Sequence, residues 1–162
     1  MLRQTGDTGD IQAPPSRLAI SEQPCRTPTT SDRHLWALAL YGLRRGEIAG
    51  LRWANVDLKA KTVSVVENRV VVGKEVTVGT PKSKASNRAL PMPDEVIEVL
   101  RAARKRQAEE RLAFGQGYGP GEYVASDEAG ESCHPDRLTS AWGRMLYELG
   151  IKRVRLHDAR HS

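Results

Sequence analysis

The chain has 162 residues, 25 Lys plus Arg against 20 Asp plus Glu, a formal charge of +5 and only two cysteines. That length suits one domain with a real core and argues against two full ones. Cys25 and Cys133 stand far apart with no CxxC spacing, which argues against a disulfide framework or zinc knuckle and fits a reducing compartment. The basic balance permits a polyanionic partner such as DNA without requiring one. No uncharged apolar run approaches membrane-spanning length, and "MLRQTGDTGD" lacks the apolar segment of a signal peptide. The expectation is a cytoplasmic protein with no membrane partner.

Residues 1–30 are polar, rich in Thr, Ser, Gly and Pro, and show no sustained period; they read as a disordered leader. Order is expected from Ser31. Thr30, Ser31 or Asp32 can cap a helix over "RHLWALALYG", which Gly42 ends. A second helix, "RRGEIAGLRW", puts Ile48 and Leu51 on one face. "KTVSVVENRVVVGKEVTVGT" is rich in Val and Thr, and Gly73-Lys74 can turn one strand into the next. "RALPMP" is a third short strand, reached through the polar loop "KSKASN". Pro93, Asp94 and Glu95 suit the first turn of a helix whose buried stripe is Val96, Ile97, Leu100, Ala103 and Leu112. "FGQGYGPGE" is a loop leading toward the short strand "EYVAS", so its G-x-G pattern does not open a helix and gives no phosphate site. "HPDRLTSAWGRMLYELG" is an amphipathic helix using Leu138, Trp142, Met145 and Leu146, with Gly150 at its end. "IKRVR" joins it to the closing "LHDARHS", and no internal repeat is present. The fold class predicted is α+β, mostly helical with a small three-stranded antiparallel sheet.

Three stretches carry candidate chemistry. Arg44 and Glu47 share a helix face, where a carboxylate can hold a guanidinium ready for a phosphate. On spacing alone an exposed helical ion pair is the favoured reading, because such pairs are common. Lys82, Lys84 and Arg88 lie on or near a turn, where a lysine can reach a phosphate or donate a proton; a solvated basic turn is the plainer reading. His157 and His161 form an i,i+4 pair, a spacing that can bind zinc. The intervening Asp-Ala-Arg departs from H-E-x-x-H, no third ligand is evident, and Arg160 places positive charge beside the site. A histidine and an arginine on one face suit an anion better, so no metal or cofactor is expected.

Taken in order, these stretches resemble the catalytic domain of the tyrosine recombinases, the phage integrase family. "ALYGLRRGEIAGLRWANVDL" is similar to that family's first arginine box, and "TPKSKASNRALPMP" to its lysine hairpin. "GESCHPDRLTSAWGRMLYELGI" resembles the helix before its second box, and "RLHDARHS" the start of that box, H-x-x-R-H. The resemblance covers residues 32–162.

The resemblance implies a DNA breaking-rejoining enzyme fold that works without metal or nucleotide. A tyrosine oxygen attacks the scissile phosphate, giving a 3′-phosphotyrosine and a free 5′-hydroxyl, and fixed donors stabilise the transition state. It implies Arg44 and Arg160 as phosphate-clamping arginines, Glu47 as an orienter, and His157 as a hydrogen-bond donor or proton-transfer group. Lys82 is the implied general acid, with Lys84 the alternative, and His161 has a supporting role. The partners implied are double-stranded DNA and other integrase subunits, in a nucleoid-associated location. The family's attacking tyrosine belongs beyond the second box. Tyr41, Tyr118, Tyr123 and Tyr147 all precede that box and none matches the nucleophile's place. The expectation is therefore a partial catalytic domain over 31–162, without its final helices and inactive alone, as in a prophage remnant. The alternative is a non-catalytic DNA-binding module that occupies recombination sites or associates with an intact integrase.

Overall fold

The computed structural model describes residues 32–79, 88–156 and 158. The expected leader, the lysine loop with Lys82 and Lys84, and His157, Arg160 and His161 lie outside the described residues. In chain order the elements are α1 (Arg33–Leu40), α2 (Arg45–Gly50), a 3-10 turn (Trp53–Asn55), β1 (Val56–Asp57), β2 (Thr62–Val65), β3 (Asn68–Val72), β4 (Glu75–Gly79), β5 (Arg88–Pro91), α3 (Asp94–Phe114) and α4 (Pro135–Glu148). Among the described residues no helix is long and apolar enough to cross a membrane.

The α+β expectation holds, and the sheet is assembled differently from the sequence reading. The valine-rich run breaks at Val66-Glu67 because Glu67 leaves the ladder to accept hydrogen bonds from Arg52 Nε (2.9 Å) and the Tyr123 hydroxyl (3.1 Å). β2 therefore pairs with β1 and β5, giving a three-stranded antiparallel sheet in the order β1-β2-β5. The hairpin around Gly73-Lys74 forms a separate two-stranded sheet, β3-β4. Gly73 has φ +65° at the first position of that two-residue turn, as a primed hairpin turn requires. "EYVAS" does not become a strand. It makes single bridges from Tyr123 to Arg52 and from Ser126 to Ser132. Asp127 Oδ1 accepts from the amides of Ala129 and Glu131, folding the chain back on itself.

The core lies where these layers meet. Val63 and Val65 point inward from β2, while Thr62 and Ser64 face out. Leu38, Ile48, Val96, Ile97, Leu100 and Val124 are fully buried around them; each such side chain contributes about 1.5–3 kcal/mol over its exposed state. α3 buries Val96, Ile97, Leu100 and Ala103 as its period predicts, but Leu112 is 83% exposed. Gln107 takes the next inward position instead, accepting from Trp53 Nε1 (2.6 Å) and donating to the Val124 carbonyl (3.0 Å). His34, also buried, donates through Nε2 to that same carbonyl (3.2 Å). α4 turns Leu138, Trp142 and Leu146 inward, and Trp142 packs at a tilt on Trp36 with ring centres 5.4 Å apart. The helix is capped by His134, whose Nδ1 accepts from the Asp136 amide (3.2 Å).

Helix α2 approaches the β3 backbone through two glycines. A Cβ on Gly46 would meet the Asn68 side-chain oxygen and lie 2.7 Å from the Arg69 carbonyl oxygen; one on Gly50 would lie 2.9 Å from the Glu67 carbonyl. Gly143, in α4, has nothing within 4 Å of the equivalent position. The two sites predict opposite responses to one substitution. Gly46→Ala should destabilise by about 1–3 kcal/mol, since a fixed carbonyl must move. Gly143→Ala should stabilise by about 0.5–1 kcal/mol through helix propensity alone. Urea unfolding midpoints measure both, and a Gly46→Ala variant as stable as the native chain or more so would show that α2 is not held tightly against β3.

Candidate active site

α1 ends so that the next residues are aimed. Gly42 has φ +99°, its amide donates to Ala39 O (3.1 Å), and the Leu43 amide donates to Leu38 O (3.1 Å). This is a Schellman termination, and the left-handed residue is a glycine because a Cβ is strained there. Leu43 then drops into the core. Arg44 follows in an extended conformation (φ −78°, ψ 155°) as the N-cap of α2, with its side chain exposed.

An arginine is a poor N-cap. Its side chain cannot accept from the helix amides, and its charge opposes the positive end of the helix dipole. Glu47 offsets this from the third helical position, its Oε2 accepting from the Arg44 backbone amide at 2.7 Å. The Glu47 residue is only 6% exposed, so its charge needs further partners. Those come from Arg88, whose Nη1 and Nη2 donate to Oε1 and Oε2 at 3.1 Å each. Glu47 therefore holds the Arg44 main chain and the Arg88 guanidinium, where the sequence spacing pointed to the Arg44 guanidinium. Nothing in the sequence separation of 41 between Glu47 and Arg88 signals this fork locally. The sequence offers Arg88 as one of a group of basic residues, and its pairing with Glu47 is not legible there.

Arg45 is neutralised by a different element. Its Nη1 donates to Asp136 Oδ1 (3.0 Å) and Thr139 Oγ1 (3.1 Å), tying the start of α2 to the start of α4. Arg44 contrasts with both neighbours. Among the described residues its guanidinium has no carboxylate or hydrogen-bond partner.

Lys82 and Lys84 are outside the described residues, but both flanks of their loop are placed. Gly79 pairs with Asn68, which lies against Gly46 of α2. Arg88, on the other flank, is forked onto Glu47 of α2. The approach to the second box is also placed. Gly150 (φ +65°) ends α4 by the same Schellman pattern, with Gly150 N to Tyr147 O (3.1 Å) and Ile151 N to Leu146 O (2.9 Å). Trp142 Nε1 donates to Val154 O (2.8 Å), and Leu156 is buried immediately before His157. His157, Arg160 and His161 themselves are outside the described residues.

Two of the four tyrosines, Tyr118 and Tyr123, are held in packed polar surroundings. The Tyr123 ring is sandwiched between the guanidinium groups of Arg52 (4.9 Å) and Arg69 (5.0 Å). Its hydroxyl donates to Glu67 and accepts from Arg52 Nη2 at 3.0 Å. Burial, then the hydrogen bond to Glu67, pushes its pKa up. Burial likewise raises that of Tyr118, whose ring lies where a Cβ on Gly130 would fall. A nucleophilic tyrosine needs the opposite shift or a neighbouring base. Tyr41 and Tyr147 are exposed on α1's end and on α4. Among the described residues no three His, Cys, Asp or Glu side chains are grouped to hold a metal.

Comparison with known proteins shows the family. The model of the phage integrase family matches residues 18–162. The chain is 31% identical over 137 residues to a tyrosine recombinase XerC-like protein of Caldanaerobacter subterraneus, covering 75% of this chain and 34% of that protein. It is 32% identical over 81 residues to an integrase of Saccharopolyspora erythraea, covering 50% of this chain and 18% of the relative. It thus spans about a third or less of the length of these relatives. In fold it resembles the Tn1549 transposon integrase solved in complex with circular intermediate DNA, with a TM-score of 0.64 at 18% identity over 82% of this chain and 45% of that one. The chain belongs to the phage integrase family of tyrosine recombinases, and its described residues adopt the fold of that family's catalytic domain.

Proposed function

We propose that this chain supplies the phosphate-binding part of a catalytic domain that breaks and rejoins duplex DNA in site-specific integration and recombination. The observation that carries the reading is the charge pattern at the start of α2. Arg45 is paired with Asp136 and Glu47 with Arg88, while Arg44 projects outward uncompensated among the described residues. An exposed guanidinium whose main chain is held this firmly is preorganised for an anion. Two further facts support it: one flank of the lysine loop is forked onto α2 and the other pairs with β3, which packs on α2, and the chain is anchored up to the residue before His157.

In this reading Arg44 and Arg160 grip the scissile phosphate from two sides, and His157 donates a third hydrogen bond. A tyrosine oxygen bonds to phosphorus as the bond to the 5′ oxygen breaks. Lys82, with Lys84 the alternative, gives the proton that the departing oxygen takes. Glu47 and His161 support the arginines. Metal and nucleotide have no part in the scheme, because bond energy is kept in the phosphotyrosine and charge is stabilised by fixed donors. Within the 162 residues no tyrosine suits attack, so the chain alone is assigned binding and not cleavage. Duplex DNA is the substrate, and other integrase subunits are the natural protein partners; a Tn1549 integrase in complex with DNA shares the fold.

Two measurements test this. Affinity for a mixed-sequence duplex should fall steeply with added salt, and Arg44→Ala should weaken it across sequences while lowering the log–log salt slope by about 1. Binding that is indifferent to salt, or to Arg44, would remove the clamp. Incubation with a nicked suicide duplex should give no covalent adduct from this polypeptide; a phosphotyrosine adduct would contradict the division between binding and cleavage.

A further inference from the structure

We infer that Arg88 is a positioning residue for Arg44, acting through Glu47; the inference rests on the reading of Arg44 as a phosphate ligand. Arg88 opens β5, and its two terminal nitrogens meet the two carboxylate oxygens of Glu47 in a parallel fork. The carboxylate is buried and Arg88 is itself two-thirds covered, its side chain 33% exposed. Glu47 Oε2 serves Arg88 and the Arg44 amide at once. The fork thereby fixes the oxygen that fixes the Arg44 main chain.

Removing the fork leaves a buried carboxylate with a single amide donor among the described residues. Such a group turns toward water to recover its solvation. The Arg44 amide then loses its acceptor, and the extended N-cap conformation that throws the guanidinium outward loses its only side-chain support among the described residues. Charge acts in the same direction. Glu47 stands between Arg88 and the Arg44 main chain and keeps the Arg88 cation occupied, so that Arg88 is a support of the anion site and not part of it. A lysine at position 88 would keep the charge but not the planar two-point contact.

The test has two readouts on the full chain. The first is hydrogen exchange at the Arg44 amide in Arg88→Gln and Arg88→Lys. Since Arg88→Gln also lowers global stability, exchange is compared with that of Leu100 in the centre of α3. Relative to Leu100, the Arg44 amide should exchange roughly tenfold faster in both variants. Unchanged relative exchange in the folded Arg88→Lys variant would overturn the inference. The second is a double-mutant cycle in binding to a random-sequence duplex. Arg88→Gln should weaken binding several-fold in the native background and have no added effect beside Arg44→Ala. Effects that multiply, with a further fall in salt slope, would make Arg88 a direct DNA ligand and overturn the positioning role. If the native chain does not bind duplex DNA, the proposed function fails, and the exchange readout still decides whether Arg88 governs the Arg44 main chain.

Discussion

A carboxylate buried between a backbone amide and a guanidinium fork holds the start of α2 in place. Glu47 caps α2 from within and joins it to β5 across 41 positions. Burial makes the contact exacting: an exposed pair of this kind would contribute little, whereas a buried charge that loses one partner is strongly destabilising. The same group sets the N-cap of α2, and so the direction in which Arg44 leaves the surface. Stability and the proposed chemistry meet in one side chain.

The rest of the fold brings distant segments to that point. Two Schellman glycines, Gly42 and Gly150, end the helices that precede the two arginine boxes. Each halts a helix within a turn, so the following residues leave at a defined angle and do not fray. Gly46 and Gly50 let α2 sit against the β3 backbone, which seats one flank of the lysine loop. The Arg45 contact to Asp136 and Thr139 brings the start of α4 beside the start of α2. Trp142 then pins Val154, and Leu156 anchors the chain before the second box. The Tyr123 cluster with Arg52, Arg69 and Glu67 has a different task. It ties the 122–125 segment to the break between β2 and β3 through the Glu67 and Arg52 hydrogen bonds and the two stacked guanidinium groups.

Much of this was legible from local pattern. The helices over 33–40, 94–114 and 135–148 follow from apolar period and end signals, and the β3–β4 turn from Gly73-Lys74. Misreadings arise where a long-range polar partner overrides local propensity. The valine run reads as one strand until Glu67 is drawn to Arg52 and Tyr123. Leu112 continues the α3 stripe on paper, yet the core ends at Gln107, whose amide is needed by Trp53 and Val124. Arg44 as an N-cap breaks a local rule, since its side chain cannot accept from the helix amides. The link from Glu47 to Arg88 leaves no trace in spacing, because a fork between a helix and a strand has no period.

The most direct test is a crystal structure of this chain bound to a DNA duplex. The account predicts the guanidinium groups of Arg44 and Arg160 on oxygens of one phosphate, with His157 and a lysine of the 80–87 loop beside them. Arginines of the early and late boxes found on opposite sides of the molecule, or on separate stretches of DNA, would contradict it.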